Sequence, residues 1–203
     1  ANIKGVPAPE GATITAWQNG SLIGPTTVVS RTSVTIDTDE VAQLFGELSS
    51  NLVRVWRFDN KSSNWSVFDP RKSFLSVQSI ENVSDGDIFW VNISTRQGFK
   101  GLGLFLGWNV ISIQGSTAVA TNLELELGPA KEVFADLPVD FSRVGRFENE
   151  SQTWAFYDPR PAFAAANTIR SAYRNDIIWV NINQVGTVRG STLVPGWNLI
   201  ILR

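Results

Sequence analysis

Apolar and polar positions change period along this chain in a way that separates strands from helices. Residues 52–59, 64–69, 87–93 and 107–113 are runs rich in Val, Ile, Phe and Trp, and they predict short strands. Leu123-Glu124-Leu125-Glu126-Leu127 alternates strictly, which predicts a strand with three Leu on one face and two Glu on the other. Residues 60–63 and 149–152 fit hairpin turns. Asp69-Pro70 and Asp158-Pro159 end their strands, because proline cannot donate to a ladder. Two stretches break the strand period. Thr38-Asp39-Glu40 suits the start of a helix from Val41 to Leu48, and Pro129 suits the first turn of one running to Leu137. The pattern predicts an all-β protein of two tandem antiparallel β-sandwich or barrel modules, each with one short helix.

The duplication is read directly. Shifted by 89 positions, residues 54–113 fall on 143–202 without a gap, and 24 of 60 are identical. Val34 to Asp37 aligns with Leu123 to Glu126, and Phe45 with Phe134. Further upstream, Gly11 to Gln18 matches Gly107 to Gln114, so the register changes and a longer loop follows this strand in the first copy. Ile3-Lys4-Gly5 repeats the spacing of Phe99-Lys100-Gly101 and Val188-Arg189-Gly190, each followed by Gly six residues later. The expected organisation is an N-terminal strand pair, a partial third copy, with a loop over 1–24, a first β module over 25–114 and a second over 115–203.

Composition narrows the partners. The 17 Lys plus Arg against 19 Asp plus Glu give no basic footprint for nucleic acid. No apolar stretch is long enough to span a bilayer as a helix. Cys, His and Met are all absent. That removes thiolate and imidazole metal sites, disulfides and the nucleophile–His templates, so no cofactor and no metal are expected. The missing Met points to a processed chain, from which a signal peptide or only the initiator Met has been removed. Asn-x-Ser occurs at Asn19, Asn60, Asn64, Asn82, Asn92 and Asn149, where 15 Asn would give about two or three by chance. These six are candidate glycosylation sites and favour an extracellular or cell-surface location.

Few residues offer chemistry. Glu124 and Glu126, two apart on one strand face, are the nearest thing to a glycosidase pair, but a solvated face accounts for them better. Asp69 and Asp158, beside Arg57 and Arg146, read as turn-fixing ion pairs. Asp85-Gly86-Asp87 offers oxygen ligands for calcium; only Asp87 has a counterpart, Asp176, so a turn before the Trp90 strand is the better account. Trp65/Trp154, Trp90/Trp179 and Trp108/Trp197 recur in both copies and are expected to be buried packing residues. Trp17 and Trp56 have no such counterpart. Trp56 aligns with Gly145, so these two tryptophans are the candidate ligand contacts.

The motifs Arg57-Phe58-Asp59-Asn60 to Trp65 and Phe68-Asp69-Pro70, then Asp87-Ile88 with Trp90-Val91-Asn92-Ile93, then Gly107-Trp108-Asn109, occur twice. They resemble β-repeats of large exported surface proteins of bacteria and archaea, over roughly residues 25–203. The resemblance implies an extracellular, non-catalytic, architectural role. The first expectation is therefore a self-assembling subunit of a surface filament, fibre or layer. It would polymerise by β-strand addition through Ile3, Lys4, Gly5, Val6 and Pro7, the stiff segment that repeats a strand-forming motif. The second is a carbohydrate-binding or adhesion module in which Trp17 and Trp56 stack on sugar rings.

Overall fold

The computed structural model describes residues 2–3, 6–7, 13–18, 21–27 and 38–202, except 49, 72, 75–77, 81, 122 and 189–190; before residue 40 it describes the backbone alone. The architecture is all-β, built from antiparallel sheets with short helices. The chain divides into two compact units at Asp37/Thr38. Both repeats lie within the second unit.

The first unit consists of two hairpins. Strand β1 (Asn2–Ile3) pairs with β2 (Val6–Pro7), and β3 (Thr13–Gln18) pairs with β4 (Ser21–Thr27). Ile3 and Val6 of the proposed docking segment are therefore paired with each other across β1 and β2. Lys4 and Gly5 lie outside the described residues. The partial third copy is visible in register. Ile3↔Val6 matches Phe99↔Leu102 of β8 (Gln97–Phe99) and β9 (Leu102–Leu104), and Val188↔Ser191 of β17 (Gly186–Val188) and β18 (Ser191–Leu193).

The second unit holds the duplication. In the first repeat, helix α1 (Thr38–Leu44) and a 3-10 turn at Gly46–Leu48 precede β5 (Leu52–Asp59), β6 (Asn64–Phe68), β7 (Ile88–Ile93), β10 (Gly107–Gln114) and β11 (Thr117–Val119). They form a sheet in the order β11-β10-β7-β5-β6. The second repeat has β12 (Glu126–Pro129), α2 (Ala130–Ala135), β13 (Phe141–Glu148), β14 (Thr153–Tyr157), β15 (Ser171–Tyr173), β16 (Ile177–Ile182) and β19 (Gly196–Ile201). Its sheet runs β14-β13-β16-β19. Registers agree at the 89-residue shift: Val55↔Val91 with Val144↔Val180, Phe58↔Trp65 with Phe147↔Trp154, and Gly107↔Ile93 with Gly196↔Ile182. Even the bulge recurs, at Leu52/Arg54 and Phe141/Arg143.

Each sheet buries both faces, and alternation decides which residue goes where. On β7, Phe89, Val91 and Ile93 enter a core with Phe45, Leu48, Phe99 and Leu104 from the helical turn and the hairpin. Their counterparts Ile178, Val180 and Ile182 do the same with Phe134, Val188 and Leu193. The opposite faces meet each other. Val110, Ile177 and Leu199 form a third cluster with Phe58, Ile88, Trp90, Phe147, Trp179 and Ile201. The sandwich is thus shared between the repeats: two sheets face each other, with one helix and one hairpin on each outer side.

Polar contacts follow the same symmetry. Asn60 donates its amide to the Leu199 carbonyl (2.9 Å) and accepts from its N–H (2.7 Å). Asn149 does the same to Val110, at 3.1 and 2.8 Å. Each carboxamide completes the outer edge of the other repeat's last strand. Asp69 pairs with Arg54 and Arg71, and Asp158 with Arg143 and Arg160, which corrects the expected Arg57 and Arg146. Those two arginines bond Asp87 and Asp176.

The Leu123–Leu127 stripe is not a buried strand face. Residues 123–124 form a turn, only Glu126 onward is extended, and Leu123, Leu125 and Leu127 are all exposed. Glu124 and Glu126 accordingly do not share a strand face.

Candidate functional site

The recurrent tryptophans are not fully buried, although Trp90 and Trp179 pack against the third cluster. Trp65 is 45 % exposed, Trp154 43 % and Trp197 39 %, and none of Trp56, Trp90, Trp108 and Trp179 is fully buried. The reason lies in the strands. Trp56 and Trp90 face each other across β5 and β7 on the side turned toward the second sheet, and Phe58 faces Trp65 on that same side. Beyond the Val110–Ile177–Leu199 cluster the two sheets leave space, and indoles from both repeats line it.

A cavity of about 390 Å³ is lined by Trp56, Trp65, Trp90, Trp108, Trp154 and Trp179. A neighbouring one of about 510 Å³ shares Trp65, Trp154 and Trp179 and adds Gly145, Phe156 and Trp197. Rings interlock across the repeats: Trp90 lies 5.5 Å from Trp154, and Trp179 lies 5.6 Å from Trp65, centroid to centroid. The planes tilt by 33° and 42°, within the offset arrangements that aromatic pairs prefer. No carboxylate belongs to either lining. The indole N–H groups of Trp90 and Trp179 are buried without an acceptor among the described residues. An unpaired buried donor costs about 1–3 kcal/mol, so this pair is not arranged for stability alone.

The carboxylates work elsewhere. Hydrogen bonds from Arg71 foremost, with Arg54, hold Asp69 well below the usual carboxylate range; Arg160, with Arg143, does the same for Asp158. Burial pushes Asp176 upward against the opposing pull of Arg146. Asp87 takes the Ser84 N–H and the Arg57 guanidinium, each at 2.9 Å. Asp85 accepts from the Gly115 N–H. Gly86, at φ +87°, and its counterpart Asn175, at +61°, supply the left-handed residue of this turn. Among the described residues there is no cluster of acidic side chains suited to a metal ion.

Of the residues predicted to contact ligand, Trp56 lies in the aromatic lining. Trp17 lies on β3, and its side chain is outside the described residues, as is Asn19. Among the sequons, Asn64 and Asn82 are exposed and Asn92 is half-buried on the groove-facing side of β7. Asn60 and Asn149 are committed to the bonds described above, so a glycan on either amide would break the Leu199 or Val110 contact. A readable signal for the groove was the double-sided apolarity of β7 and β16, which requires a cover on each face.

Comparison with protein families, with curated proteins and with solved structures found no match to this chain.

Proposed function

We propose that the chain is a non-catalytic carbohydrate-binding module of an exported surface protein, with the tryptophan groove between its repeats as the binding site. The observation that carries this reading is the exposure of Trp65, Trp154 and Trp197 along one groove lined from both repeats. A flat indole presents an apolar face to the C–H face of a pyranose, while the sugar keeps its hydroxyls toward water or the rim. Keeping large aromatic rings at the surface costs hydrophobic burial, which a ligand returns. The sequon excess and the resemblance to exported β-repeats support an extracellular location. The test is depletion onto insoluble polysaccharides. The wild type should be retained by at least one glucan or xylan and eluted by its soluble oligosaccharide. Trp154→Ala should lose about tenfold or more in affinity while remaining folded. Retention unaffected by Trp154→Ala and Trp65→Ala would reject the groove as the site.

A second reading, a self-assembling subunit of a filament, fibre or surface layer, is favoured by one feature. Strand β10 is flanked by β11 at Ser112–Gln114, whereas the equivalent end of β19, at Ile201 beyond the Asn60 contact, has no flanking strand among the described residues. An open edge admits a strand from another copy. Removal of residues 1–10 followed by negative-stain microscopy tests it: loss of regular polymers supports the reading, and absence of polymers in the intact protein excludes it.

A further inference from the structure

The two halves of the groove differ at several lining positions, Val67/Phe156 and Leu106/Pro195 among them, and two further differences bear on a ligand. At the 89-residue shift Trp56 corresponds to Gly145, and Gln152 to Ser63. In the first half, Gln152 caps Trp108: its Oε1 accepts the Trp108 N–H at 2.7 Å, and its Nε2 donates to the Trp108 carbonyl at 2.6 Å. Trp197 holds the same place in β19, with the register Trp197↔Asn181 matching Trp108↔Asn92, so its N–H and C=O face away from β16. Ser63 is too short to reach them, and no described side chain replaces Gln152 there. The space is open. A Cβ on Gly107 would lie 2.5 Å from Gln152 Oε1, whereas one on Gly196 would meet nothing within 4 Å. Above this edge Gly145 stands where the other half has Trp56; a Cβ there would meet the Phe156 and Trp154 rings at 3.3 to 3.5 Å, and the cavity of about 510 Å³ is walled by Trp154, Phe156, Trp179 and Trp197.

We infer that this half-site binds a glucopyranose unit through an equatorial vicinal diol, one hydroxyl accepting the Trp197 N–H and its neighbour donating to the Trp197 carbonyl, with the ring against the aromatic wall of Trp154 and Trp197. The inference rests on the carbohydrate reading and adds the specificity. Three features select the occupant. The backbone pair asks for an adjacent acceptor and donor on the same side of a group, as in the carboxamide of Gln152; vicinal diequatorial hydroxyls present this. A trans acetamido group does not, because its C=O and N–H point in opposite directions. An added peptide strand needs a continuous free edge, and Asn60 closes this edge two residues further on, at Leu199. The aromatic walls suit a flat, apolar ring face, and the cavity is of ordinary ligand-pocket size.

The decisive variant is Ser63→Gln, which copies the other half. Ser63 and Gln152 have matching backbones, φ +53° and +56°, so the substitution is compatible with the turn. Calorimetric titration would compare cellohexaose, which has a free 2,3-diol in every unit, with laminarihexaose, whose 1,3-linkage removes it from all but one. The wild type is expected to prefer cellohexaose by about tenfold, and Ser63→Gln to weaken cellohexaose by about tenfold, the value of two neutral hydrogen bonds. Wild-type affinity in folded Ser63→Gln, or equal affinity of the wild type for the two sugars, overturns the diol assignment while leaving the groove reading intact if Trp154→Ala still abolishes binding. If Ser63→Gln fails to fold, the comparison of sugars on the wild type decides. Binding of neither sugar, nor of any polysaccharide, overturns both.

Discussion

Replacing Asn149 by Ala isolates what holds the two repeats together. The side chain makes two hydrogen bonds to one residue, 2.8 Å from the Val110 N–H and 3.1 Å to its carbonyl. Val110 is 5 % exposed and belongs to the cluster between the sheets. Removal of the amide therefore strands a buried donor and a buried acceptor. Each stranded group costs about 1–3 kcal/mol, and partial hydration at this strand edge places the sum near 2–4 kcal/mol. Asn149→Asp should be no better: one carboxylate oxygen can accept the N–H, but the other is turned toward the Val110 carbonyl, and lone pairs oppose lone pairs. Asn60→Ala, which removes the bonds to Leu199, should cost a similar amount. Urea unfolding followed by tryptophan fluorescence reads the difference, with an unchanged slope expected because the exposed surface is the same. A loss below about 0.5 kcal/mol for both alanine variants would refute the argument that these amides serve as strand-edge caps.

Arg146 and Asp176 are 7 % and 0 % exposed, whereas the equivalent Arg57 and Asp87 are 21 % and 24 % exposed. Arg146→Met leaves a buried carboxylate unpaired and should cost about 3–5 kcal/mol; Arg57→Met should cost about 1 kcal/mol or less, and equal losses in thermal unfolding would contradict the difference in burial. Asp69 and Asp158 are held below the usual carboxylate range, so their stabilisation is complete above the unfolded value near pH 4 and is lost as pH falls toward their folded values. Acid unfolding should therefore steepen below about pH 4, and Asp158→Asn should flatten that limb; an unaltered limb would count against the ion pairs. Gly145→Trp combined with Phe156→Val copies the first half of the groove and should abolish sugar binding while the protein remains folded, which circular dichroism and affinity depletion check together.

The duplication, the strands and both helices were legible because each rests on local pattern: β-rich runs between turns, a capped helical start, proline after Asp69 and Asp158. The partners of Asp69 were not. Arg57 is nearer in sequence than Arg54, but it lies on the same face of β5 as Val55 and points to Asp87, while Arg54 and the adjacent Arg71 converge on Asp69. The Leu123–Leu127 stripe misled because strict alternation says which residues share a face only if the segment is extended, and it turns at residues 123–124. The tryptophans misled for a different reason. Recurrence in both repeats was taken to mean burial, but a pair of repeats stacked face to face conserves its shared groove as faithfully as its cores. What the sequence did mark was the asymmetry, Trp56 against Gly145, and that position distinguishes the two cavities, Trp56 lining one and Gly145 the other.

The central claim, that sugar binds in the groove between the repeats, is tested most directly by labelling the protein with 5-fluorotryptophan and following the fluorine resonances as cellohexaose is added. Trp154, Trp179 and Trp197, assigned by single Trp→Phe variants, should shift together and saturate with one affinity, while Trp108, capped by Gln152, moves little. Saturable binding that leaves these three resonances in place would contradict the account.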